Sequence, residues 1–592
     1  MERHISWLDS EEKGLEKKVS AEYSSDLVRE HLEYLTTLHR IAGTEDELRA
    51  AEYIKGKLDE FGVEAEIHEF DGYISHPGKA KLEIRSPAER PIPCLTHAFS
   101  ASTAPEGMEG ELISLGKGQE EDYRGIDVRG KIVLLDAGGG GEQVETARRA
   151  EEHGVAAQIH ITSGKQHVIK IMQVRDVWGN PTPETLGKMP KTPVISISDE
   201  DGRNLVELIQ KGPVRIRLNA DASRGYRKIR HPIGTVRGLK EPEKYVLVGA
   251  HYCSWYVGAT DNAAANALML EMARVLAKHR QSLGRSIRFA WWTGHTQGTF
   301  AGSTWYLDNF WEDIRDNAIA YLNFDTLGKA GTSGFSIRNT EEIKRFHERI
   351  VKEVLGSEIE SGRCSKIGDQ SFWGMGLPSL TGNTTFPGET PGAGGGAYWY
   401  MHTSEDTLDK VDVELIRIPA RTYLVGLLRL CNNPVLPFEF VTMAEVFRKG
   451  LHDLQKKGPS TSRLAPLVTQ AEEFEKKASA LNEAIGKTLS ALERKRTGKV
   501  KTQINRINAC LMELSRVMMP VLYSKAGKYG QDPMGTKFRP IPLLQPLEKL
   551  NLMDEESEEY KTLLTSLIRD GHIISDALHS ACRVLEDTLD RI

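Results

Sequence analysis

The amino-acid sequence predicts an α/β fold, with a mainly parallel, twisted sheet that carries helices on both faces. The first observation is a series of continuous apolar strand patterns that alternate with helical patterns between residues 245 and 324. Such strands are typical of a parallel sheet that is buried on both faces. The second is a shift to shorter strands between residues 107 and 221, which indicates an inserted α/β domain. The third is a charged helical pattern after residue 437, which predicts a C-terminal helical domain.

The chain has 592 residues, which predicts several domains. We predict that the core domain begins in residues 1–100 and continues in residues 226–436. The insert then occupies residues 101–225, and the helical domain occupies residues 437–592.

The N-terminal part combines helices and strands. Residues 24–43 and 45–62 repeat apolar side chains every three or four positions and end in glycine, which predicts two helices. Residues 63–70 and 80–86 alternate in polarity and predict two strands.

The core pattern contains three strands, "YVLVGA", "SIRFAWW" and "AIAYLNF", which begin at residues 245, 286 and 318. Helices are predicted between them over residues 262–279 and 303–316. In the insert, strands are predicted in residues 130–138, 155–162 and 192–198, with a helix near residues 144–153.

Composition excludes several classes of function. The formal net charge is −6 and no basic cluster is interleaved with aromatic residues, so nucleic acid is not expected as a partner. No apolar run reaches the roughly 18 residues needed to cross a bilayer. The charged N-terminus lacks an apolar secretory segment, which predicts a cytoplasmic protein without membrane association. The six cysteines have no paired spacing, which indicates reduced thiols.

Polar residues follow the three core strands. His251, His295 and Asp325 come directly after them, and carboxyl ends of parallel strands share one edge of a sheet. Asp261 lies before a helix, and His402 lies in the aromatic run "YWYMHTSED". Each residue alone has an ordinary explanation, such as a helix cap for Asp261 or packing for His402. Together, imidazoles and carboxylates suit Zn²⁺ or another divalent ion of intermediate softness.

This joint pattern resembles the zinc-dependent exopeptidases of the aminopeptidase and glutamate carboxypeptidase type. The resemblance rests on "GAHYCSWYVGATDNAAANALMLEMARVL", "RFAWWTGHTQGTFAGSTWYL", "AYLNFDTLG", "GDQSFWGMGLPSL" and "YMHTSEDTLDKVD". It implies that His251 and Asp325 hold one metal ion, that Asp261 bridges to a second, and that His402 belongs to the second site. The insert is similar to a protease-associated domain. The C-terminal helices are similar to the dimerisation domain of the transferrin receptor group, which implies a homodimer.

The sequence departs from this family at two places. His295 and Thr296 stand where the family has two glutamates, a general base and a ligand of the second ion. Cys253 stands where the family has an aspartate that orients the metal-binding histidine. One ion is therefore better supported than two. His295 can serve as a base or as an additional ligand, but hardly as both, because coordination uses the lone pair that accepts a proton.

A further group of residues is expected behind the ligands or against the substrate. It comprises Cys253, Thr296, Trp255, Asp369 and Tyr400. Neighbouring aromatic residues, and a glycine run at residues 391–397, suggest a pocket wall, although ordinary packing explains aromatic residues equally well.

Three functions are consistent with this sequence. The first is a metal-dependent hydrolase that acts on a peptide terminus or a small amide. The second is a metalloenzyme with other chemistry, such as a lyase acting on a small anionic molecule, with Zn²⁺, Fe²⁺, Mn²⁺ or Ni²⁺. The third is a non-catalytic dimeric scaffold.

Overall fold

The predicted α/β architecture is confirmed. A computed structural model describes residues 10–138, 141–164, 167–387, 398–458, 464–494, 498–536 and 539–592. Across these residues, fourteen strands join in one sheet, with helices packed on the faces of its central part. The glycine run of residues 391–397 lies outside the described residues.

The N-terminal part supplies three helices and a very long strand. The sequence predicts two strands at residues 63–70 and 80–86, and this prediction is wrong, because one strand runs through both. The intervening "PGK" is accommodated by a register shift between Pro77 and Ala80 within a continuous antiparallel pairing to a strand at residues 215–236. The elements are α1 (Ser10–Ala21), α2 (Ser25–Leu35), α3 (Glu45–Glu60), β1 (Glu64–Ser86), β2 (Arg90–Ile92) and β3 (Leu95–Thr96).

The insert is a small α/β unit, as predicted. Its strands β4 to β7 pair in parallel, and the long strand β8 leads the chain back into the core. The elements are β4 (Met108–Ser114), β5 (Ile132–Leu135), α4 (Gly141–Glu152), β6 (Ala157–Ile161), α5 (Pro183–Leu186), β7 (Val194–Ile197), α6 (Asp199–Lys211) and β8 (Arg215–Val236).

The core contains the predicted parallel strands, which pair in the order β10, β9, β11, β14. The helix predicted over residues 303–316 is two helices, because the chain leaves helical geometry at Phe310, whose ring packs 4.7 Å from that of Tyr306. The elements are β9 (Glu241–His251), α7 (Ala264–Lys278), β10 (Arg285–Trp292), α8 (Ala301–Asn309), α9 (Trp311–Asn317), β11 (Ala318–Asn323), β12 (Gly334–Asn339), α10 (Lys344–Leu355), β13 (Gly362–Arg363), β14 (Ser379–Thr385) and α11 (Val413–Asn432).

The C-terminal region is helical, as predicted. It contains α12 (Phe440–Lys457), α13 (Ala465–Arg494), α14 (Gly498–Tyr523), a 3₁₀ segment (Pro542–Leu552) and α15 (Glu558–Leu589). Residues 524–536, here called the strap, leave the helices and cross the core. The Gln531 amide donates to the Ser371 carbonyl at 2.9 Å, and the Met534 N–H donates to the Asp176 carbonyl at 2.9 Å. The strap therefore contacts both the core and the insert.

None of the helices in the described part of the chain combines the length and the apolar character needed to span a bilayer.

Arg40 fixes the loop that follows strand β9. Its guanidinium group is fully buried, and all its hydrogen bonds go to backbone carbonyls at the end of α2 and in the loop of residues 252–258. Burial lowers the pKa of Arg40 to about 10, which leaves it charged at neutral pH. The carbonyls are those of Leu35 (2.5 Å), Leu38 (3.3 Å), Tyr252 (2.8 Å), Val257 (2.9 Å) and Gly258 (3.1 Å).

We expect Arg40→Ala to lower the free energy of unfolding by about 3 kcal/mol or more, because several buried carbonyls lose their donors at about 1–3 kcal/mol each. Urea unfolding followed by circular dichroism measures the change. Arg29→Ala, at an exposed position of the preceding helix α2, is the control. Equal stability of the two variants would contradict the assigned role of Arg40.

Candidate metal centre

Three of the predicted residues meet at the carboxyl edge of the sheet. His251 is the last residue of β9, and His295 and Asp325 follow β10 and β11. One potential ligand atom from each of the three lies within 4.8 Å of the others. His251 Nε2 and Asp325 Oδ1 are 3.5 Å apart. The parallel direction of these strands brings together residues that are far apart in the sequence.

Asp261 joins this cluster to His402. One carboxylate oxygen, Oδ1, lies 3.0 Å from His251 Nε2, and the other, Oδ2, lies 2.8 Å from His402 Nε2. Burial would raise the pKa of Asp261, but the two imidazoles outweigh it and hold the pKa well below its usual value. Asp261 is thus an ionised carboxylate shared between the two histidines.

Asp406 holds the backbone around Asp261 and was missed in the sequence. Its side chain accepts hydrogen bonds from the backbone N–H groups of Thr260 at 2.9 Å and Asp261 at 3.1 Å. Burial raises the pKa of Asp406 to about 6. The available signal was its position four residues after His402 in "YMHTSEDTLDKVD".

His295 is held by a carboxylate of its own. Its Nδ1 lies 2.7 Å from Asp369 Oδ2, and its ring stacks on that of His251 with the centroids 3.8 Å apart. Burial would raise the pKa of Asp369, but the charge and hydrogen bond of His295 outweigh it and lower the pKa. An ionised Asp369 accepts from Nδ1–H, so Nε2 is the ring nitrogen that is left to exchange a proton.

Cys253 and Thr296 support the cluster from behind. The His251 Nδ1–H donates to the backbone carbonyl of Cys253 at 2.8 Å, which fixes the ring with its Nε2 toward the carboxylates. A carbonyl therefore orients His251, where the resembled family uses an aspartate. The Cys253 thiol accepts from the His295 backbone N–H at 3.3 Å, and the Thr296 hydroxyl donates to Gln297 Oε1 at 2.6 Å.

The aromatic residues are mainly packing elements. Trp255 is 4% exposed and lies in an apolar cluster with Phe99 and Met189. The ring of Trp373 packs 5.4 Å from that of Tyr523, the last residue of α14 before the strap. Tyr400 is buried, and its ring meets that of Tyr398 edge-on at 5.1 Å. The ordinary explanation of these residues, core packing, accounts for their positions.

The cluster offers the types of ligand atom that a divalent metal site needs. His251 Nε2 and Asp325 Oδ1 are both buried without a hydrogen-bond partner of suitable geometry among the described residues. Burial would lower the pKa of His251, but Asp261 and Asp325 raise it well above its usual value. A cation at this position would satisfy the two unpartnered atoms and offset both carboxylates. Nitrogen and oxygen ligands of this kind suit Zn²⁺.

The fold and this site together define a hydrolase of the metallopeptidase type. Comparison with known proteins agrees, since residues 233–425 match the family described as Peptidase family M28. The resemblance to zinc exopeptidases predicted from the sequence is confirmed. The match does not extend to the insert, so its assignment as a protease-associated domain stays a prediction.

The following relatives and solved structure match between 49% and 72% of this chain. A probable glutamate carboxypeptidase of Zea mays is 25% identical over 69% of this chain and 67% of its own. An aminopeptidase of Bacillus subtilis is 29% identical over 49% of this chain and 58% of its own. Among solved structures, the Peptidase M28 precursor of Shewanella amazonensis shares the fold with a TM-score of 0.60 and 21% identity, over 72% of this chain and 98% of its own.

We expect Asp406→Asn to weaken divalent metal binding by about 10–100-fold, because an uncharged amide holds the backbone of Asp261 less firmly. Competition with a chelator measures the dissociation constant. Asp409→Asn, an exposed change three residues later, should leave it unaltered. If the two variants bind metal equally, Asp406 does not support the site.

Proposed function

We propose that this chain is a metal-dependent hydrolase that cleaves an amide bond at a peptide terminus. The observation that carries the proposal is the convergence of His251, His295 and Asp325, with His295 tied to Asp369. Relatives named as aminopeptidases and glutamate carboxypeptidases support the choice of substrate class.

His251, Asp261 and Asp325 would hold one divalent ion, Zn²⁺ in this proposal, because both carboxylates face His251 Nε2. Such an ion supplies Lewis-acid polarisation of the scissile carbonyl. Three protein ligands leave a position open for the substrate, as in other catalytic zinc sites. Asp261 also faces His402, and these two residues could contribute to a second metal site. A second ion would have fewer anionic ligands than in the resembled family, because His295 and Thr296 stand where that family has two glutamates.

His295 takes the role of the general base in this proposal. Asp369 fixes the ring with its Nε2 lone pair free, and the stacking on His251 holds that lone pair beside the cluster. Nε2 can take a proton from the attacking water and return it to the leaving amine. The buried carboxylate of Asp369 stabilises the imidazolium that forms between these two steps.

We expect His295→Gln to retain its metal while losing turnover by about 10²–10⁴-fold, the usual contribution of a general base. Metal content is measured by plasma mass spectrometry, and turnover with a panel of amino-terminal and carboxyl-terminal peptide substrates. His153→Gln, at a partly exposed histidine of the insert, is the matched control.

Other outcomes lead to different functions. Loss of the metal from His295→Gln would make His295 a ligand and remove the proposed base. Wild-type protein that carries metal but cleaves no peptide would indicate other chemistry on a small molecule. Protein that binds no metal after reconstitution would indicate a scaffold.

We also propose that the chain forms a homodimer through its C-terminal region. Large apolar side chains are exposed there, including Leu552 at 89% and Ile573 at 52%. We expect light scattering to give about twice the 66.0 kDa of one chain. A mass equal to one chain at micromolar concentration would contradict the proposal.

A further inference from the structure

A narrow, partly open cavity lies between the insert and the candidate metal centre. Met401, which precedes His402, lines it together with Met172. The Met172 sulfur lies 2.7 Å from His402 Nδ1. His160 and Lys170 of the insert also line the cavity, as does His97, which follows β3. The cavity therefore borders the residue that pairs with Asp261.

Lys170 lines this cavity, and no acidic residue among the described lining residues offers it a counter-charge. The residue is 7% exposed, and its Nζ has no hydrogen-bond partner among the described residues. Its backbone is fixed, since its N–H donates to Thr162 Oγ1 at 3.3 Å and its carbonyl accepts from Ser196 Oγ at 2.8 Å. None of the described residues that line the cavity is acidic.

The two histidines of the cavity are neutral, so each carries one ring N–H. Burial lowers the pKa of His97 to about 3 and holds that of His160 well below its usual value. His97 Nδ1 accepts from the Met172 backbone N–H at 3.0 Å, so its hydrogen is on Nε2. His160 Nε2–H donates to Gln158 Oε1 at 3.0 Å, so Nδ1 of His160 is an acceptor.

Gln143 lies between the rings of His97 and His160, and the three side chains together place more hydrogen-bond donors than acceptors at this point. Its amide nitrogen donates to His160 Nδ1 at 3.0 Å and also lies 3.0 Å from His97 Nε2, which is itself a donor. Two N–H groups therefore meet without an acceptor between them. With the Lys170 ammonium nearby, the cavity lining needs acceptor atoms that carry negative charge.

We propose that this cavity binds a small oxyanion, a carboxylate or a phosphate group, with Lys170 as its counter-charge and His97 and Gln143 as hydrogen-bond donors. The group comes from the substrate or from a free anion. If the substrate supplies this group, the inference rests on the proposed function. Oxyanion binding by itself does not depend on that function. A narrow site suits one such group rather than a large side chain.

Calorimetric titration with glutarate and with inorganic phosphate, in chloride buffer, tests the site directly. We expect one equivalent to bind the wild-type protein and Lys170→Met to weaken binding by about tenfold or more, because a charged donor is lost. Lys170→Arg keeps the charge and should bind. Lys188→Met, at an exposed lysine of the insert, is the matched control.

His251→Ala separates this site from the metal centre, since anion binding should survive the loss of a metal ligand. Binding by a folded Lys170→Met variant that equals the wild type would overturn the proposal. So would anion binding that disappears in His251→Ala while Lys170→Met retains it, because the metal would then be the anion site.

Two peptides that differ only in a terminal glutamate or glutamine identify the source of the oxyanion. If the substrate supplies it, Lys170→Met raises KM about tenfold for the acidic peptide alone. If glutarate binding is lost while both KM values are unchanged, the site serves a free oxyanion. Failure of both peptides to react in the wild type would count against the proposed function and leave the titration result standing.

Discussion

The candidate metal centre depends on one buried carboxylate, that of Asp261. A buried carboxylate is costly unless hydrogen bonds and opposite charges compensate it. His251 and His402 face its two oxygens, and the Asp406 side chain accepts the hydrogen bonds of the backbone that carries it. The strand end, the helix-entry loop and the segment around residue 402 therefore have to come together for any one of them to be stable.

His295 stands where the resembled family has a glutamate, and its neighbours hold the imidazole ring in a fixed position. A glutamate at this position would need no partner, whereas an imidazole needs its tautomer fixed. Asp369 does this through Nδ1, and the ring gains additional contact by stacking on His251. The backbone carbonyl of Cys253 orients His251 in a similar way. At two of the three positions that depart from the resembled family, 253 and 295, a local contact thus orients a histidine ring.

Local pattern was sufficient for the fold class and for the residues at strand ends, because strand direction alone puts His251, His295 and Asp325 at one edge. The local pattern was not sufficient where contacts between distant parts of the chain determine the structure. The continuous strand β1 forms only because β8 pairs with it on both sides of Pro77. Lys170 and His97 are 73 positions apart and line one cavity because the insert packs against the segment after β3, which no spacing in the sequence reveals.

The strap has a consequence for biosynthesis. Gln531 supports the segment around Ser371, next to Asp369, across a sequence separation of 160 residues. A ribosome has therefore translated most of the chain before the support behind His295 exists. Contacts of such long range form late, since closing the intervening loop costs entropy before any bond is gained. A nascent chain would carry the sheet and the residues of the candidate metal centre without the finished arrangement behind His295, so the proposed activity would appear only near completion of synthesis.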